Sequence, residues 1–108
     1  MSSIHWPPDL YDELRAHART SGRQITEILH DALVAIATDP AAALVTAQPH
    51  LTACGTGPGR PLRGSNPEAF REARAALDTA FGGTVGVAPV VRGLVAARLA
   101  REAAHSAA

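Results

Sequence analysis

The chain has 108 residues, 46% of them hydrophobic, which suits one domain or two small interlocked halves with a modest core. Ten basic residues balance ten acidic ones, which argues against tight non-specific nucleic-acid binding yet leaves room for a local patch. The lone Cys54 excludes an intrachain disulfide, and no apolar run approaches the roughly 18 residues of a membrane span.

The opening MSSIHWPPD lacks the basic start and apolar middle of a signal peptide, so the expected compartment is the cytoplasm. Charge is uneven along the chain. Residues 1–40 hold three Arg against six acids, whereas residues 41–108 hold seven Arg against four acids. Every basic residue is Arg. Either the coding genome is GC-rich, or the chain uses the bidentate contacts that guanidinium makes with phosphate and guanine.

In chain order, Ser2-Ser3-Ile4-His5-Trp6 alternates polar and apolar residues before Pro7-Pro8, predicting a short strand stopped by proline. Asp9 then starts a helix that places Leu10, Leu14, His17 and Ala18 at helical spacing and ends at Ser21-Gly22. After Arg23-Gln24, a second helix carries Ile25, Ile28, Leu29, Ala32, Leu33 and Ile36 as one apolar stripe and stops near Thr38-Asp39-Pro40. Residues 39–59 combine the apolar fragment AAALVTA with Pro49 and GTGPG, and read as a connector with room for one short helix. Asn66-Pro67 opens a further helix through Phe70, Ala73, Ala76 and Leu77. Val87 to Leu99 forms the last, with Pro89 in its first turn, before a fraying tail over 101–108.

The two halves repeat. An offset of 59 sets Pro8 on Pro67, Tyr11 on Phe70, Glu13 on Glu72, Arg15 on Arg74 and Thr20 on Thr79. An offset of 62 then sets Ile25, Ile28, Leu29 and Leu33 on Val87, Val90, Val91 and Val95. A helix pair this short cannot bury its stripe alone, so the copies are expected to complete one another's core. The predicted organisation is a unit over 1–38, a connector over 39–59, a second unit over 60–100 and the tail.

Through the strand SSIHW, the first helix WPPDLYDELRAHA, the turn SGRQITEIL and the second helix HDAL, the first 37 residues resemble a ribbon-helix-helix DNA-binding domain of the Arc/MetJ class. That class is common among bacterial repressors and antitoxins. The resemblance implies a mainly α fold with a short N-terminal β-strand, here duplicated in tandem with a degenerate second copy. It also implies strands paired as an antiparallel ribbon whose outward residues, Ser3 and His5, enter the major groove. Backbone amides at Gln24, Ile25 and Thr26 would hold phosphate at a helix start. Around Arg60-Pro61-Leu62-Arg63, Pro61 and Gly64 suit a strand poorly, while Arg63 can reach a base edge or phosphate.

The expected function is therefore a sequence-specific DNA-binding transcriptional regulator, either a repressor or an antitoxin with a cognate toxin. Its partner is double-stranded DNA, and its DNA-binding residues are Ser3, His5, Arg23, Gln24, Thr26, Arg60 and Arg63. A homodimer and an intramolecular pseudo-dimer both remain open. The alternative is a protein-interaction or dimerisation module that keeps the helical core without DNA contact. An enzyme is not expected: the chain has no lysine for a Walker A loop after Gly55, Gly57 and Gly59, and Asp9, Asp12 and Glu13 suit a helix start. No cofactor or metal is expected either, because His50 and Cys54 alone make no site.

Overall fold

The computed structural model describes residues 4–6, 8–50, 60–62 and 67–106, of which 4–6, 8, 60–62 and 105–106 are described by their backbone. The elements are β1 (Ile4–Trp6), α1 (Pro8–Ser21), α2 (Ile25–Thr38), α3 (Pro40–Ala47), a 3₁₀ turn (Gln48–His50), β2 (Arg60–Leu62), α4 (Pro67–Phe81) and α5 (Val87–Ser106).

Local chemistry sets the helix ends. Helix α1 begins at Pro8, whose missing N–H costs nothing in a first turn, and Asp9 lies where the helix dipole favours a carboxylate. It closes at Gly22, which takes φ +71°, so that the Arg23 amide reaches back to donate to the Ala18 carbonyl at 3.1 Å. Helix α4 closes in a related way. Gly82, at φ +64°, donates its amide to the Asp78 carbonyl at 2.8 Å.

Asp39 stops one helix and starts the next. Its amide donates to the Ala35 carbonyl of α2 at 3.0 Å, while its side chain accepts from the Ala42 amide of α3 at 3.1 Å. Pro40 in the first turn of α3 fixes the entry.

The apolar stripes then meet. Leu14, Ile28, Leu29, Leu33, Ile36, Leu77, Val90, Val91 and Val95 are fully buried, and each large one contributes about 1.5–3 kcal/mol through removal from water. Helix α4 lies along α2, α3 lies on α5, and the 3₁₀ turn also rests on α5. Under the 59-residue offset, the buried Leu10, Leu14 and Ala18 of α1 correspond to the buried Ala69, Ala73 and Leu77 of α4.

This architecture is a five-helix globule, which corrects the expected class of a ribbon-helix-helix with an N-terminal strand duplicated in tandem. Helices from the whole chain build the core, including α3, which comes from the segment read as a connector and buries Ala43 and Ala47. Extended backbone among the described residues is confined to two three-residue segments that pair within the chain. Segments that short hold little of the stabilising surface, which lies in the helical stripes. The family pattern weighs a short N-terminal ribbon, whereas five helices, α3 among them, supply the core. No described helix is long and apolar enough to cross a membrane.

Candidate nucleic-acid interface and a neighbouring groove

Two of the expected contact residues stand on paired strands. Strands β1 and β2 run antiparallel with Ile4 opposite Leu62, His5 opposite Pro61 and Trp6 opposite Arg60. Directly opposed positions share a face and successive ones alternate, so His5 shares a face with Pro61 while Arg60 shares the other with Trp6. Pro61 has no N–H, so only its carbonyl can serve the ladder there. Ser3 and Arg63 lie outside the described residues.

Arg23, Gln24 and Thr26 gather at the start of α2. Gln24 is the N-cap, in extended conformation at φ −81° and ψ 145°, and its side chain makes no capping hydrogen bond to the helix amides. Its carbonyl instead accepts from the Glu27 and Ile28 amides at 3.1 and 3.3 Å, and Thr26 Oγ1 donates to Gln24 Oε1 at 3.5 Å. Amides left without a side-chain cap at a helix start can accept an anion as partner. Exposed Glu27 in that same first turn works against one.

Arg23 is engaged elsewhere. Its Nη1 lies 3.6 Å from Asp31 Oδ2, and Arg98 Nη1, arriving from α5, lies 3.5 Å from the same oxygen. One carboxylate thus partly neutralises two guanidinium groups. Sequence reading missed this arrangement, since nothing in the chain order announces that α5 brings Arg98 to α2.

A groove separates α1 from α5. It encloses about 830 Å³, with Leu10, Ala16, Leu99 and Ala100 contributing apolar surface and Asp9, Glu13 and Glu102 as its acidic groups. His17 and His50 also line it. The Nε2 of His17 is buried with no hydrogen-bond partner among the described residues. His17 reads in the sequence as a boundary residue, and only the separation of two distant helices makes it part of a groove.

Among the described residues, no three His, Cys, Asp or Glu side chains gather as a metal site. Cys54 and the glycines at 55, 57 and 59 lie outside the described residues. No protein-family model, no curated protein and no solved structure matches this chain.

Proposed function

We propose that this chain is a sequence-specific DNA-binding regulator, acting in the cytoplasm as a repressor or an antitoxin, that presents β1 and β2 to the major groove. The observation that carries the reading is the antiparallel pairing of the two strands within one polypeptide, because a two-stranded segment is among the few elements that the major groove admits. In this reading, Ser3 and His5 meet base edges and Arg63 supplies guanidinium contacts to guanine or phosphate, while Arg60, opposite Trp6 rather than His5, adds electrostatic attraction only. The amides from Gln24 to Thr26 fix a phosphate, with Arg23 adding attraction. A single chain then completes the reading element without a second copy.

The test is alanine substitution of His5 and Arg63, singly and together, with helix content and unfolding measured beside DNA affinity. The reading expects lost affinity with folding intact. Unchanged affinity for every DNA bound by the parent chain would contradict it. A protein-interaction module is the second reading, and the groove between α1 and α5 is the observation that favours it.

A further inference from the structure

The two halves of the molecule pack unequally. Helix α4 lies closely along α2, whereas the corresponding pair, α1 and α5, touches sparingly and leaves the groove between them. Side-chain size differs between the two pairs in their first turns, and reverses at the third position, where Ala18 on α1 corresponds to Leu77 on α4. Ala69 and Ala73 on α4 occupy the positions that Leu10 and Leu14 hold on α1. Alanine lets one helix seat near another, and leucine holds it off.

The groove's charge is one-sided. Among the described residues its carboxylates are Asp9, Glu13 and Glu102, all exposed, and its lining includes no arginine. From Asp9 to Thr20 its α1 wall runs about 16 Å, or three helical turns at 1.5 Å per residue. Its apolar residues Leu10 and Leu99 stand among small alanines that permit close approach. From this combination we infer that the groove between α1 and α5 receives a basic amphipathic helix of a partner protein. The partner's apolar face rests on Leu10, Ala16, Leu99 and Ala100, and its Lys or Arg side chains run beside Asp9, Glu13 and Glu102. This inference stands on the groove alone and is independent of DNA binding.

The probe is a helical peptide with leucine on one face and lysine on the other, titrated without DNA into the isotope-labelled chain. A leucine/glutamate peptide of the same pattern is the control. The expected result is that the lysine peptide shifts amide signals confined to α1 and α5, while the glutamate peptide shifts none. The doubly reversed variant Glu13→Arg/Glu102→Arg alters two exposed side chains. Far-UV circular dichroism confirms its fold, and it should bind the lysine peptide at least about tenfold more weakly, as charge complementarity requires. Signals shifting on another face, or equal binding by parent and variant, would overturn the proposal. Self-association of the parent chain abolished by the same double reversal would assign the groove to a second copy, and would overturn it too.

Discussion

Gly93 of α5 sits against Ala47 of α3 so closely that a Cβ built on Gly93 falls 2.7 Å from the Ala47 Cβ and 2.8 Å from its carbonyl oxygen. The missing side chain is what lets these helices touch. Gly93→Ala should raise intrinsic helix propensity by about 1 kcal/mol, yet lower net stability by about 1–3 kcal/mol, because the clash includes backbone that cannot step aside. Urea unfolding of Gly93→Ala checks this. Adding Ala47→Gly should restore only part of the loss, since the carbonyl remains in the way.

Asp39 should be worth more than an exposed acid usually is. Asp39→Ala removes the acceptor for the Ala42 amide and is expected to cost about 0.5–2 kcal/mol, whereas Asp39→Asn keeps most of that stability. Thermal unfolding of the two variants side by side measures the difference.

The Asp31 cluster separates stability from binding. Its ion pairs are half exposed on the Asp31 side, so Asp31→Asn should change stability by no more than about 1 kcal/mol. Under the proposed function it also releases Arg23 and removes a negative charge. DNA affinity should then rise at low salt and converge with the parent's as salt screens the difference. Paired titrations of parent and variant at low and high salt check both points.

His17 and Leu14 lie a turn apart on α1 and should respond oppositely. Leu14 is fully buried in the core, and Leu14→Ala is expected to cost about 2–5 kcal/mol. The His17 Nε2 is buried without a hydrogen bond among the described residues. Replacing that ring with an apolar side chain, as in His17→Leu, should therefore be neutral or stabilise by up to about 1 kcal/mol. Denaturation midpoints of the two variants give the comparison directly.

How much of this was legible depended on the range of the interaction involved. Pro67 and Gly22 act on their immediate neighbours, and the start of α4 and the end of α1 fall where those residues predict, while α1 starts at Pro8, one residue before the expected Asp9. The stripe from Ile28 to Ile36 likewise needs only its own period. Helix α3 was readable as a helical fragment, but its place in the core depends on Gly93, a residue of a different helix. For the same reason the fold class was misjudged: the resemblance weighs local motif, whereas five helices packed across the whole chain decide the architecture. The groove was out of reach altogether, because it is formed by two helices, α1 and α5, from opposite ends of the chain.

DNA recognition is tested by titrating the purified chain against labelled DNA from upstream of its own gene. A shuffled sequence serves as control, at two salt concentrations. A DNA-binding regulator binds the upstream DNA preferentially, with an affinity that falls as salt rises and a slope that reports the number of phosphates neutralised. No binding to either DNA at low salt would contradict DNA recognition and leave protein interaction as the chain's role.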